Sequence, residues 1–304
     1  MMRLLWKDRA FVFSIGFLSL LLILSVLNSF FNDGEIWVTR LLIDEKTRDI
    51  IGSPPFPPSW NHPFGTDKNG YDMLHIIIQG SKYTIGFGLL ITLLRISLSF
   101  LLGSFISAYT PRLIPIGKMI AEPFTIVPQT IIVYFLLVSV LFNDSFTSEF
   151  SHSLGARLGF QTAVMSLVSL PVLTSQFASL MKKQWDQEFI ESSRVLGGSK
   201  FHILIKHIIP NMRDSAILLF LQQFIQVLGL MAHLGVLSLF LGGTKTQDMT
   251  SVTYEWSGQI GVAFRYLVGY PWIAMTPIIF FSLTILALSL ILASVKKAFE
   301  REKA

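Results

Sequence analysis

Long apolar blocks separated by short polar segments run the length of the chain, and their lengths predict its architecture. Each block has at least 21 residues, and an α-helix of about 20 residues crosses the hydrocarbon core of a bilayer at 1.5 Å rise per residue. The pattern therefore predicts six transmembrane helices, at about residues 11–31, 83–109, 119–142, 160–181, 215–241 and 271–295.

Prolines inside two of these blocks predict kinks. Pro123 and Pro128 lie in the third block, and Pro171 lies in the fourth. Proline lacks an N–H donor, and its ring clashes with the carbonyl four residues earlier. We therefore expect both helices to bend where neighbouring helices can accommodate the break.

Six helices and no predicted strand define an all-α, polytopic membrane protein. A short N-terminus, residues 1–10, precedes a single transmembrane domain, residues 11–304. The first block is longer than a signal-peptide core and no small-residue cleavage site follows it, so we expect it to stay as a membrane anchor. A mean hydropathy of +0.59, with 52% hydrophobic residues, excludes an ordinary soluble domain.

Basic residues are unevenly divided between the two sides that these helices define. With the N-terminus inside, 15 of the 24 Lys and Arg residues fall in cytoplasmic segments. The positive-inside rule then places both termini and residues 182–212 in the cytoplasm, and residues 32–82 and 242–270 outside. The formal net charge of +5 is therefore interpreted as a topology signal and not as a sign of nucleic-acid binding.

Several kinds of chemistry are excluded or disfavoured by residue content. The chain has no cysteine, which excludes disulfides, thiolate metal sites and cysteine nucleophiles. The six histidines are scattered without a pair at metal-ligand spacing, so we predict no bound metal. No GxxxxGK[ST] phosphate loop is present, which argues against a nucleotide site of that type on this chain.

The loop 182–212 is amphipathic rather than apolar. As a helix from Gln187, it places Phe189, Ser192 or Ser193, and Leu196 on one face. Glu191 and Arg194 are spaced to pair on the other face. Gly197-Gly198 should end this helix, and Ser199 should cap a second short helix that ends before Pro210. Periodicity alone allows either a segment resting on lipid headgroups or a knob that a cytoplasmic partner grips.

The same loop resembles a known motif. Residues 188–211, EFIESSRVLGGSKFHILIKHIIPN, are similar to the EAA loop of ABC importer permeases, with Glu191-Ser192-Ser193 in place of Glu-Ala-Ala. Gly197 falls at the spacing of the motif, and His207 to Pro210 closes it. Arg194-Val195-Leu196-Gly197 and the Pro210-Asn211 ending resemble the variant of the dipeptide, oligopeptide and nickel permeases.

Two further segments resemble that subfamily. His62-Pro63-Phe64-Gly65-Thr66-Asp67, followed by Gly70-Tyr71-Asp72, is similar to its outer segment, although Tyr71 replaces the usual Arg. A weaker similarity covers Trp256, Gly258, Pro271-Trp272 and Pro277. Residues 288–300 depart from the tail pattern of the family.

The resemblance implies a type I ABC importer permease fold and a set of partners. These partners are a homologous second permease subunit, two ABC ATPase subunits that carry ATP and Mg, and an extracytoplasmic substrate-binding protein. This chain would be non-catalytic, would bind no cofactor itself, and would lie in the plasma membrane of a bacterium or archaeon. The resemblance also implies that the EAA loop couples the permease to its ATPase subunits. The residues that match this coupling motif are Glu191, Ser192, Ser193, Arg194, Leu196, Gly197, His207 and Pro210. Phe64, Gly65, Thr66 and Asp67 would face the binding protein.

Polar residues inside the predicted fifth span form a second candidate site. Gln222, Gln226, Gly229 and His233 share one helix face. This polar face would line the translocation path, or alternatively would bond to neighbouring helices. Arg95 lies near the middle of the second span without an evident partner, and its role stays open between snorkelling, lining the path and pairing with an acid of the second subunit.

The predicted function is that of a peptide permease half in an ABC importer. A permease for nickel or another metal complex is the alternative within the same family. A secondary transporter would need no ATPase but usually shows paired repeats with broken helices, and a membrane-bound enzyme would need a cluster of catalytic groups near an interface. The sequence contains neither pattern.

Overall fold

The computed structural model describes residues 2–43, 50–142, 150–246 and 250–303. The α-helices of these residues are α1 Met2–Leu5, α2 Arg9–Phe31, α3 Met73–Tyr109, α4 Ile114–Ala121, α5 Pro123–Ile126, α6 Gln129–Leu141, α7 Leu154–Leu167, α8 Leu170–Trp185, α9 Glu188–Val195, α10 Lys200–Ile203, α11 Ile209–Val236, α12 Trp256–Ala263 and α13 Pro271–Lys303. Two 3₁₀ turns, Pro111–Leu113 and Phe264–Tyr266, and one π-helical segment, Leu204–Ile208, complete the helical elements.

Four helical segments of the described residues are long and apolar enough to cross a membrane: α2, α3, the continuous helix Lys200–Val236, and Pro271–Glu302. The number rises to six if each of two bent helix pairs counts as one span. These pairs are Pro111–Ile126 with α6, and α7 with α8. They occupy the regions of the predicted third and fourth spans.

The predicted third span, 119–142, is not one straight helix. The chain bends by 82° between Ile126 and Gln129, because Pro128 disfavours helical dihedrals in the residue before it and Val127 is extended. At 1.5 Å per residue, α6 is about 20 Å long, shorter than the hydrocarbon core. The fourth span bends by 43°, and α7 ends at Leu167, four residues before Pro171.

The second span begins ten residues earlier than predicted. Asp72 caps α3 at Met73, where its carboxylate accepts a hydrogen bond from the backbone N–H of His75 at 3.0 Å. The helix therefore extends about two and a half turns into the predicted outer segment. Sequence hydropathy missed these turns because they carry polar residues.

The outer segment, residues 32–82, also holds a small antiparallel ladder that was not predicted. Strand β1, Leu42–Ile43, pairs with β2, Ile50–Gly52. The proline-rich stretch 53–59 contains no helix, as its composition predicts. Lys46 and Arg48, two basic residues of the predicted outer segment, lie outside the described residues.

A short buried helix, α12, interrupts the second predicted outer segment. Its first residue, Trp256, is fully buried, with its indole N–H donating to the carbonyl of Ile77 at 2.9 Å. The helix packs so closely on α11 that a Cβ on Gly261 would lie 2.1 Å from the carbonyl oxygen of Gly235. Small residues permit such close helix packing in membrane proteins, and this requirement explains the glycine at position 261.

Three hydrophobic clusters of the described residues hold the helices together, and two of them bear on the candidate sites. The larger cluster joins α2, α3, α6, α11 and α13. The second cluster lies at the end of α3 and α8 that meets the loop 182–212, and it includes Ala108, Phe177, Met181, Trp185, Ile190, Ile203, Leu204, Ile208 and Met212. The loop is therefore fixed to two membrane helices by its own buried side chains.

Candidate functional site

The loop 182–212 begins with α9, which ends at a glycine. Gly197 has a φ of +83°, its N–H donates to the carbonyl of Arg194, and the N–H of Gly198 donates to the carbonyl of Ser193, both at 3.0 Å. These two bonds define a Schellman motif, which requires a left-handed residue just beyond the helix. Glycine adopts this conformation without a Cβ penalty, so the predicted helix stop has a clear backbone cause.

The second half of the loop differs from the prediction. Ser199 caps α10 through a bond from the N–H of His202 at 3.2 Å, as expected, but the helix does not end before Pro210. It passes through the π-helical segment, where the N–H of Ile209 donates to the carbonyl of Leu204, and continues as α11. A π turn accommodates the proline, because the wider spacing of its hydrogen bond relieves the clash between the proline ring and the preceding turn of the helix.

Several apolar side chains are exposed on the free surface of α9 and just beyond its end. Val195 is 83% exposed and Leu196 is 87% exposed, whereas Ile190 on the opposite side is fully buried. Phe189 and Phe201 are also exposed. The predicted face with Phe189 and Leu196 is therefore outward, and Val195 is an exposed neighbour that the helical pattern did not single out.

The predicted ion pair between Glu191 and Arg194 is not formed. Arg194 instead donates from Nη2 to the carbonyl of Trp185 at 3.2 Å, and its guanidinium lies 5.4 Å from the centre of the Trp185 ring. This contact joins the end of α8 to α9 by a cation–π interaction and a hydrogen bond. Glu191 is left exposed on the loop surface, and the pairing rule failed because a longer-range partner was better placed.

The remaining motif residues have local structural roles. The hydroxyl of Ser192 bonds to the carbonyl of Glu188 at 3.3 Å. A Cβ on Gly198 would lie 3.0 Å from the hydroxyl oxygen of Ser193. The ring of His207 lies 6.3 Å from the rings of both Phe189 and His202. The two histidines therefore contribute to packing within the loop.

The predicted polar face is present on α11. Gln222, Gln226 and His233 are exposed, and Gly229 between them has nothing within 4 Å of a Cβ position. The imidazole Nδ1 of His233 lies 3.3 Å from the hydroxyl of Thr130 on α6. The face is thus open in this chain, and its role in the path stays a prediction.

Arg95 has partners that sequence reasoning missed. It is fully buried, and its Nε donates to the carbonyl of Met165 at 2.8 Å. Its Nη1 donates to Oε1 of Gln223 at 3.5 Å, and Nε2 of Gln223 donates to Oε1 of Gln226 at 2.8 Å. Gln223, which is buried beside the polar face, therefore links Arg95 to it. A substitution at Gln223 is not a neutral control for Gln226.

The outer residues expected to face a binding protein are mostly buried. Thr66 is fully buried and exchanges hydrogen bonds with Phe56, while its carbonyl accepts from the indole of Trp272 at 3.1 Å. A Cβ on Gly65, whose φ is +73°, would lie 2.6 Å from Trp272. Phe64 packs edge-on against Phe280. These residues shape the outer segment, because their side chains are turned inward, and they offer little contact surface themselves.

Asp67 is the buried acid of this segment. Its Oδ1 accepts from the backbone N–H groups of Asn69 and Tyr71, each at 2.8 Å. Desolvation by burial nevertheless raises the pKa of Asp67 to about 6, because it outweighs the lowering effect of these bonds. Trp60, in the turn that precedes the motif, is fully exposed.

Metal binding has no visible support in the described ranges. Within residues 2–43, 50–142, 150–246 and 250–303, no group of three or more His, Asp and Glu side chains converges on a possible ion position. The expectation that this chain binds no metal or other cofactor stays a prediction.

Comparison with known proteins identifies the family. Residues 100–304 match the family described as the binding-protein-dependent transport system inner membrane component. A putative peptide permease protein of Brucella abortus biovar 1 is 24% identical over 245 residues, which are 80% of this chain and 74% of that protein. The peptide transport system permease protein SapC of Escherichia coli O6:H1 is 22% identical, over 86% of this chain and 82% of its own. The oligopeptide transport system permease protein OppC of Bacillus subtilis is 26% identical, over 74% and 72%.

The matched region contains the loop 182–212, the polar face, the buried helix α12, both bent helix pairs and two of the four helices that are able to cross a membrane. It covers about two thirds of the chain, and the relatives extend the similarity into the outer segment. Apart from the small ladder of the outer segment, the architecture is helical and is that of the type I ABC importer permeases, as predicted. The chain is a multi-pass membrane protein that belongs to the family of binding-protein-dependent transport system inner membrane components.

Proposed function

We propose that this chain forms one half of the translocation path of an ABC importer and is driven by ATP hydrolysis on separate subunits. A homologous second permease would supply the other half. The observation that carries the proposal is the α9 surface. Val195 and Leu196 are exposed there, in a segment that connects helices able to span a membrane and is not itself part of one. Apolar side chains in such a position are explained by a docked partner.

The support beneath α9 suits a docking element that transmits force. Ile190 is fully buried in the second hydrophobic cluster, and Arg194 ties α9 to the end of α8. Gly197 has nothing within 4 Å of its Cβ position, so the glycine is required by backbone conformation and not by packing within this chain. We assign the coupling helix, which docks in a groove of an ATPase subunit, to α9 with Gly197.

Movement of this loop would reach the polar face directly. Lys200–Val236 is one continuous helix, about 55 Å long at 1.5 Å per residue. Its first residues belong to the coupling loop, and Gln226 and His233 lie along its later turns. A tilt imposed by closing ATPase subunits would therefore displace the polar face as a rigid body and switch the path between inward-open and outward-open arrangements.

The chemistry of the cycle would take place on other chains. ATP and Mg would bind the two ATPase subunits, and this chain would be a non-catalytic part of the transporter. The binding protein would deliver substrate to the outer side, where the segment shaped by Thr66 and Asp67 presents Trp60. Both termini and the coupling loop would face the cytoplasm of a bacterium or archaeon.

Peptides are the proposed substrate class. The names of several relatives specify peptide or oligopeptide transport. The polar face offers two amide side chains and one imidazole, which are hydrogen-bonding groups suited to peptide backbones. A nickel or other metal complex is the second candidate within the family, and His233 is the one side chain of this face that would suit it.

Purification from the native host tests the proposal. The tagged chain, extracted in mild detergent, should bring down a second permease and ATPase subunits, identified by mass spectrometry. A strain that lacks the chain should lose the depletion of short peptides from a casein hydrolysate, and the restored gene should recover it. Transport without any associated ATPase would instead indicate a secondary transporter.

A further inference from the structure

Arg95 begins a chain of hydrogen bonds that has only one possible direction. A guanidinium has five N–H donors and no acceptor. Its contact with Gln223 at 3.5 Å must therefore be made by the amide oxygen of that side chain. The amide nitrogen of Gln223 then faces away from Arg95 and lies 2.8 Å from Gln226.

The same reasoning applies to the next link. An amide nitrogen only donates, so Gln226 must present its oxygen to Gln223. Its own nitrogen, Nε2, is left on the exposed side of α11 without a partner among the described residues. Because Arg95 only donates hydrogen bonds, it sets the orientation of both amides, and a donor nitrogen is left on the polar face.

We propose that Arg95 is a positioning residue that, through Gln223, holds the amide nitrogen of Gln226 toward the path, and that this nitrogen is a donor site for carbonyl or carboxylate oxygens of the transported peptide. The inference rests on the proposed function, because it assigns a ligand group to one residue of the proposed path. It also accounts for an arginine buried inside the membrane-spanning region.

The charge of Arg95 reinforces this direction. No Asp or Glu side chain of the described residues forms an ion pair with it, and its Nη2 atom is buried with no hydrogen-bond partner. An uncompensated cation in a medium of low dielectric constant polarises the amides bonded to it. Gln226 is therefore a stronger donor than an isolated amide, and it favours a ligand group that carries negative charge.

Gln222 provides a matched comparison on the same face. It is exposed like Gln226 and lies one turn earlier on α11, but no hydrogen bond joins it to Gln223 or Arg95. The side-chain amide of Gln222 is therefore not held in one orientation, and it is able to present either its oxygen or its nitrogen on the polar face. Arg95 should therefore influence the contribution of Gln226 and leave that of Gln222 unchanged.

A double-mutant cycle in the whole transporter tests the inference. We would measure depletion of individual peptides from a casein hydrolysate by cells that carry Arg95→Met, Gln226→Leu, Gln222→Leu and the two double variants, at matched membrane levels. Gln226→Leu should reduce the rate about threefold to tenfold, the range that one hydrogen bond supplies. Gln226→Glu, which has the same size but offers no amide donor, should be at least as impaired.

The coupling between sites is the decisive readout. The double variant Arg95→Met with Gln226→Leu should deplete peptides no more slowly than the more impaired of its two single variants. In the double variant Arg95→Met with Gln222→Leu, the rate should instead fall by the product of the two single-variant factors. If Arg95→Met does not accumulate in the membrane, Gln223→Leu replaces it, because it breaks the chain in the middle. Multiplied losses for Gln226 as well would overturn the inference while leaving peptide transport intact. A wild-type transporter that depletes no peptide would overturn the proposed function, and this inference with it.

Discussion

The backbone N–H of Ile209 donates its hydrogen bond to the carbonyl of Leu204, five residues earlier. This single wide turn allows Pro210 to lie inside a helix that continues through it. The second half of the loop 182–212 and the polar face consequently belong to one helix, Lys200–Val236. Had the helix ended before Pro210, as the sequence suggested, a flexible joint would separate the two sites.

The first prediction concerns topology. We expect an impermeant thiol reagent added outside intact cells to label Ser53→Cys and not Ser199→Cys, because Ser53 lies in the outer segment and Ser199 in the coupling loop. Both positions are exposed, and the absence of native cysteines leaves each label unambiguous. Permeabilised cells provide the control, in which both variants should react. Labelling of Ser199→Cys from outside would reverse the orientation.

The second prediction concerns Glu255, which caps α12. Its two carboxylate oxygens accept four hydrogen bonds, from the N–H groups of Leu241, Ser257 and Gly258 and from the hydroxyl of Ser257. In Glu255→Gln, an amide nitrogen would face two of these donors, so we expect a loss of about 2–3 kcal/mol of stability. Thermal unfolding in detergent measures the effect.

Glu122→Gln is the matched control for this change, because Glu122 is exposed and its side chain makes no hydrogen bond among the described residues. It should unfold at the wild-type temperature. Equal unfolding temperatures for Glu255→Gln and Glu122→Gln would contradict the assigned role of the cap.

The third prediction follows from the buried acid of the outer segment. Burial raises the pKa of Asp67 to about 6 from its ordinary value of 3.8, so the folded segment binds a proton more tightly than the unfolded one. Its contribution to stability is full below pH 3.8 and is lost as the pH rises through 6. Hydrogen exchange of residues 62–72 should report a decrease in opening free energy on the order of 1–3 kcal/mol between pH 5 and pH 8.

Asp67→Asn should remove this pH dependence, because the amide keeps an acceptor for Asn69 and Tyr71 and does not ionise. Glu35→Gln, which changes an exposed acid of the same segment, should retain the wild-type profile. A wild-type profile that is flat, or that rises with pH, would contradict the predicted sign.

The long apolar helices, the helix stop at Gly197 and the cap at Ser199 were predictable because each depends on local pattern. Hydrophobic length gives the existence of a helix, and Gly197 and Ser199 act within one turn of their positions. What the sequence did not give were relationships across the fold. The link from Arg95 to Gln223 and the contact of Thr66 with Trp272 depend on residues that are distant along the chain. The pairing of Arg194 with Trp185 depends on how α9 folds back on the end of α8.

The buried helix α12 was missed for a related reason. Eight residues are too few to register as a membrane span, and the segment is recognisable only from its close packing on Gly235. The bend at Pro128 was expected as a kink, but its angle of 82° depends on the extended conformation of Val127 and on the packing around it.

The fourth prediction concerns Gly197. A valine at a φ of +83° should cost on the order of 1–3 kcal/mol in backbone strain and would add a branched group to the α9 surface. Gly197→Asn separates these effects, because asparagine tolerates the left-handed region. Gly269→Val is the matched control, since Gly269 is exposed, has open space around it and lies in the opposite predicted compartment.

The most direct test of the coupling assignment is ATP hydrolysis by the purified complex in liposomes, stimulated by loaded binding protein. For Gly197→Val, we predict normal membrane insertion and pairing with the second permease, together with loss of stimulated hydrolysis and of uptake. Gly269→Val should retain both activities, and Gly197→Asn should lie between them. Full stimulated hydrolysis together with full uptake in Gly197→Val would contradict the assignment of α9 as the element that couples this permease to its ATPase.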